Sequence, residues 1–212
     1  MADKTKTVRS RTPFYPMLHP IEGYQEMRYH QWGHAGYATV CVLLLFFALF
    51  AKEQLFGFAF RVDVNPDDLN LPLLFLLSVG LCGLFVAINW AICTLFDGSG
   101  KLKDIWVVVG YSLLPYILCV LLACVLSQFL TSEEAIFIEA IQVVGAVYSV
   151  FLMIKGVEAY HEYSFKGSIV SLLCTLVGLV LVMLLGVLLF SIVQQFVAFV
   201  VTIYQEMLLR TR

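Results

Sequence analysis

Residues 167–204 run for 38 positions without a charged side chain. As one α-helix that stretch would be roughly 57 Å long at 1.5 Å per residue. The hydrocarbon core of a bilayer is only ~30 Å thick. Three more uncharged runs precede it, at residues 35–51, 71–96 and 105–130, and a fourth at 135–154 is interrupted only by Glu139. Apolar residues make up 61% of the chain and charged residues 13%. Soluble domains sit nearer half and a quarter, so this excess cannot be hidden in a core of this size. In lipid the backbone must satisfy its own hydrogen bonds, which limits such runs to helices or a closed barrel. Their lengths select helices.

The expected fold is therefore all-α, a polytopic bundle of five transmembrane helices. An N-terminal interfacial helix and an amphipathic C-terminal extension complete it. Four regions are expected: a basic disordered tail (1–18), an interfacial amphipathic segment (19–34), a five-span membrane domain (35–190) and an amphipathic helix (191–212). The tail carries Lys4, Lys6, Arg9 and Arg11. It reads first as a topology determinant and, more sharply, as an arm for anionic lipid. The first 34 residues hold no short apolar core with a cleavage site, so no removable leader is expected. Net charge is −2, so no nucleic acid is expected as a partner. All six cysteines fall inside apolar runs and read as small packing residues.

The last run divides by pattern. Gly167, Ser171, Thr175 and Gly178 form a ladder of small residues suited to packing on a neighbour. Beyond Gly186, Ser191, Gln195, Ala198, Thr202 and Gln205 recur at spacings of four and three. That is a polar stripe on an otherwise apolar helix. A fifth span to about residue 190 and an amphipathic extension follow from it. Gly80, Gly83 and Ala87 likewise mark the second span for close helix approach.

No catalytic or cofactor-binding constellation is found. Gly100-Lys101 fails the phosphate-loop template, because Leu95 and Leu102 stand where Gly and Ser/Thr are required. Asp63, Asn65, Asp67 and Asp68 start like a calcium loop but lack its Gly and closing Glu. Ligand-type residues gather at the polar ends. His30 and His34 would share a helical face, and Glu158, His161 and Glu162 follow the fourth run. A metal site there is the lesser reading, since a Glu-x-x-His pair needs a second pair and two more carboxylates to hold two irons.

The structural centre is expected at residues 89–115. It contains Asn89, the turn Asp97-Gly98, then Gly110, Tyr111 and Pro115. Pro115 removes a backbone bond and crowds the Tyr111 carbonyl, so the third span should kink near Gly110 to Pro115. Asn89 needs a partner in lipid. Its depth predicts a bond near Tyr111 or Ser112 on the third span.

These residues carry a resemblance. Asn89-Trp90, Asp97-Gly98-x-Gly100 and Gly110-Tyr111-Ser112-x-x-Pro115 resemble the Yip (Ypt-interacting protein) domain family. Pro20-x-x-Gly23-Tyr24 ahead of the first span does too, as does Gly156 with His161-x-x-Ser164-x-Lys166. The resemblance implies five spans and a cytosolic N-terminus. Eukaryotic members act in vesicle traffic with Rab-type GTPases. This chain lacks their Asp-Leu-Tyr-Gly-Pro motif, which points to the bacterial branch, where some members work beside transporters.

The charge count agrees on orientation. With the N-terminus inside, inner segments carry nine Lys and Arg and outer segments four, as the positive-inside rule requires. The expected function is a non-enzymatic scaffold or modulator of a membrane partner, a transporter being one candidate, in a bacterial plasma membrane. The expected partners are the lipid bilayer, that membrane protein, and a second copy in a homo-oligomer. The alternative is a small transporter or channel subunit with a polar site near Asn89 and Pro115.

Overall fold

The computed structural model describes residues 14–57, 70–96 and 98–210. The basic residues of the tail, the acidic positions Asp63 to Asp68, and Asp97 lie outside the described residues. The described residues are helical with no strand, and five of the helices are long and apolar enough to cross a membrane.

Two short helices come first, α1 (Tyr15–Leu18) and α2 (Pro20–His30), each started by a proline in its first turn. Pro fits there because its missing N–H would be unpaired anyway. The first span is α3 (Ala35–Leu55). The second, Leu71–Leu95, is built from α4 (Leu71–Phe75), one π-helical stretch (Leu76–Gly80) and α5 (Leu81–Leu95). Asn70 caps it through Oδ1, which accepts from Leu73 N at 3.1 Å. Within the π stretch Ser78 Oγ donates to Leu74 O at 2.8 Å. A run of apolar residues gives no sign of such a widened turn.

The third span is α6 (Leu102–Ser112) followed by α7 (Leu114–Leu126). The break at Leu113 is the kink expected from Pro115. Tyr116 N, beside the proline, donates to Ser149 Oγ on the neighbouring helix at 3.2 Å. A Ser hydroxyl from the fourth span thus serves the broken helix.

The fourth span, α8 (Ala135–His161), runs a full two turns beyond residue 154. Lys155 does not end it, because Lys155 Nζ and Glu158 Oε2 pair at 2.8 Å along the helix. The polar link thus shrinks to Glu162, Tyr163 and Ser164, with Glu162 at φ 60° closing the helix. Ahead of α8 a 3-10 turn (Ser132–Glu134) leads into the helix, and Thr131 N donates to Glu134 Oε2 across it at 3.1 Å. The fifth helix, α9 (Phe165–Arg210), is 46 residues long and continuous through Gly186 and residue 190.

In lipid, burying a side chain against another helix gains little hydrophobic free energy, so close packing and hydrogen bonds hold such a bundle. The third span is the hub. Of its most apolar window, 67% is buried in the protein, against none of the fifth helix's window. It packs on α3, α5 and α8. Gly110 shows why: a Cβ there would lie 2.5 Å from Ala38 Cα, so α3 and α6 touch backbone to backbone. Gly83, by contrast, has open space around its missing Cβ. The close approach expected there is made by Gly110 instead.

Candidate functional site

Polar side chains converge at one end of the bundle, where residues 98–101 link the second and third spans. Three small networks meet there, each joining elements far apart in sequence.

The first lies inside the membrane region. Asn89 is fully buried, and its Nδ2 donates to Thr175 Oγ1 at 2.8 Å. Thr175 Oγ1 donates in turn to Ser171 O at 2.8 Å. Cys93 Sγ lies 3.0 Å from Ser171 Oγ. The partner of Asn89 is therefore the fifth helix, not the third span. The small-residue ladder does pack on a neighbour, and that neighbour is the second span: a Cβ on Gly178 would meet Ile88 Cγ2 at 2.9 Å. Small residues let α5 and α9 approach closely, and the hydroxyls among them supply what an Asn in lipid requires. Equal depth alone could not tell which neighbouring helix would supply it.

The second network closes the end of the bundle. Arg28 on α2 donates from Nη1 to Ala159 O at 2.8 Å and from Nη2 to Ser99 Oγ at 3.1 Å. It also pairs with Glu162 at 2.8 Å. Ser99 Oγ donates to Tyr160 O at 3.3 Å. Beside it, Gly100 N donates to His161 Nδ1 at 3.3 Å, and the His161 ring stacks on Tyr163 with centroids 5.4 Å apart. A Cβ on Gly100 would lie 2.7 Å from that ring, so the link needs glycine to press against it. His161 is buried, and its Nε2 has no hydrogen-bond partner. Tyr163 Oη donates to the Cys93 and Phe96 carbonyls at 3.0 and 3.1 Å, satisfying the last turn of α5.

The third network fixes α2. Tyr24 is fully buried, with its hydroxyl 2.7 Å from Ser112 Oγ. Burial pushes its phenol well above the usual range, which keeps it protonated. Tyr111 is buried in the same cluster and meets the Trp32 ring edge-on at 6.5 Å.

The residues read as metal candidates fall into separate roles. α2 ends at His30, and Gln31 turns the chain at φ 50°, so His30 and His34 do not share a helix. His34 instead stands just ahead of α3, where its carbonyl accepts from Ala38 N at 3.2 Å. Glu158 is taken by Lys155, Glu162 by Arg28 and His161 by Gly100. Among the described residues no three His, Cys, Asp or Glu side chains converge on a metal position. Of the central residues, Asn89, Gly110, Tyr111 and Pro115 are all buried, and Asp97 lies outside the described residues.

Sequence reasoning missed Arg28, Ser99 and Tyr163. One signal was available: Arg28 is the only Lys or Arg between Arg11 and Lys52, and it sits among aromatics. The arrangement ties five elements together with polar contacts, of which His161 Nε2 is left unpaired.

A family model described as the Yip1 domain matches residues 14–190. No curated protein and no solved structure matches the chain. The matched span holds all three networks, the kinked third span and the first half of α9. With most of its length matched, the chain belongs to the Yip1 domain family and is a helical, multi-pass membrane protein.

Proposed function

We propose that this chain is a non-enzymatic scaffold or modulator of another membrane protein, with its N-terminus on the cytoplasmic side. The observation that carries this reading is α9. Its first turns dock on α5 and α8. From Leu181 to Phe190 every side chain is exposed, and nearly all are large and apolar. A helix held rigidly at one end and bare at the other offers a lateral surface within the bilayer. The polar contacts elsewhere are made inside the chain, which supports a structural role for them. The positive-inside count supports the orientation.

The test is co-purification from the native membrane in mild detergent. A defined membrane protein should accompany the wild-type chain and be lost with Leu184→Trp and Leu188→Trp together. A co-purifying set unchanged by those substitutions would count against the reading.

A transporter or channel subunit is the second reading, favoured by the buried chain from Asn89 through Thr175 to Ser171. It requires Asn89→Leu to abolish flux in proteoliposomes while leaving the fold intact. Flux absent from the wild-type chain, or untouched by that change, removes it.

A further inference from the structure

The helix pair α1–α2 contacts α8 at two well-separated levels. Tyr148 Oη donates to Met17 O at 2.6 Å, and Arg28 donates to Ala159 O at 2.8 Å. Tyr148 and Ala159 are eleven residues apart on α8, roughly 16 Å along its axis. Met17 and Arg28 are also eleven residues apart. The pair therefore runs alongside α8 rather than across its end.

The depth of its far end follows from α8. Residues 140–154 of that helix are uncharged, and Lys155 and Glu158 are the first charges beyond them. If the hydrocarbon boundary lies near residue 154, Tyr148 sits about 9 Å inside it. Met17, Phe14 and Leu18 lie at or near that level. Arg28 is on the other side of the boundary, among headgroups.

A second observation is independent of that geometry. The polarity of α1–α2 changes along its length in the same direction as its depth. Residues 14–21 carry no Asp, Glu, Lys or Arg, and then Glu22, Glu26 and Arg28 follow within seven residues. The large apolar side chains of the deep part point away from the protein. Phe14 is 45% exposed, Leu18 67% and Ile21 57%. In water that stripe would be a liability, whereas against acyl chains it costs nothing.

We propose that α1–α2 is a half-inserted segment, embedded in the leaflet on the side of residues 98–101, whose exposed stripe of Phe14, Leu18 and Ile21 contacts lipid acyl chains. Tyr24 bonded to Ser112, and Arg28 bonded to Ala159, Ser99 and Glu162, hold it against the third and fourth spans. Its backbone breaks once, at His19 and Pro20, where His19 N donates to Tyr15 O at 2.9 Å. Leu18 N and Gly23 N likewise donate to Phe14 O and His19 O, and Pro16 and Pro20 have no N–H to leave unpaired, so helical bonding carries across the break. The contact is with acyl chains of either headgroup chemistry, and it does not depend on which protein α9 engages.

The test is site-directed spin labelling of the full chain in phosphatidylcholine vesicles, in a variant whose six cysteines are replaced. Nitroxides go at Leu18→Cys, Ile21→Cys, Gln25→Cys and Tyr29→Cys, all exposed positions that leave the fold undisturbed. Collision with dissolved oxygen reports lipid, and collision with a water-soluble nickel chelate reports solvent. Nickel accessibility should rise in the order 18, 21, 25, 29, with the label at 18 several-fold below the label at 29 and high in oxygen. Equal nickel accessibility at 18 and 29 would place the pair in water and overturn the proposal. Low accessibility of 18 to both reagents would mean a protein covers the stripe and would overturn it equally.

Discussion

Asn89 and Thr175 form the one side chain to side chain amide bond buried between membrane helices among the described residues, at 2.8 Å. Such bonds contribute about 0.5–2 kcal/mol, less than isolation in hydrocarbon suggests, because the unfolded chain in a membrane also finds partners. Asn89→Leu and Thr175→Val should therefore each destabilise the bundle by about that amount. A double-mutant cycle between them, read by unfolding in mixed micelles, should show coupling of at least ~0.5 kcal/mol. A cycle of Asn89→Leu with Ser112→Ala should show none, since Ser112 serves Tyr24. Coupling to Ser112 in place of Thr175 would restore the third-span partner that depth alone suggested. Gly110→Ala gives a second check at this scale. Its Cβ would meet Ala38 backbone at 2.5 Å, which no rotamer change relieves. A loss of about 1–3 kcal/mol is expected, as for overpacking elsewhere. The same substitution at Gly83 meets open space and should be near neutral or slightly stabilising.

At the scale of elements, sequence reading placed what depends on local chemistry. Pro115 broke the third span within two residues of itself, because a missing N–H and a ring clash act on the nearest turn. The extent of α8 was not legible. Lys155 looks like a helix end until Glu158 is known to neutralise it along the helix. Nor was the Gln31 turn, which separates His30 from His34 although both fit one helical face. The clamp around Arg28 was the least legible, because Arg28, Ser99 and Glu162 are brought together only by tertiary packing. That clamp makes its own prediction. Arg28→Ala removes two hydrogen bonds and an ion pair that is partly exposed, worth about 1–3 kcal/mol together. Hydrogen exchange should then quicken in α2 and in residues 98–101 while the third span stays protected. Unchanged exchange in both would show that Tyr24 and Met27 packing alone holds α2.

For the whole molecule, the count of five spans was visible from the apolar runs, and the family follows from short motifs in the right order. Their assembly around the third span was not visible, since the third run is intermediate in hydropathy among the five and only burial, 67% against none for the fifth, marks it as the hub. Orientation is tested by single cysteines in a background without the native six. Ser99→Cys and Ser164→Cys should be shielded from an impermeant thiol reagent in intact cells, and Asp67→Cys should react. External labelling at Ser99 would invert the topology. The most direct test of the central claim, that a clamped bundle presents α9 to a membrane partner, is a photo-crosslinking walk along α9 in the native membrane. Crosslinkers at Ser171 and Thr175 should join α9 to the second span within one chain, and those at Leu181, Leu184 and Leu188 should capture a separate membrane protein at regular helical spacing. Intramolecular products from the first group with only lipid adducts from the second would contradict the account.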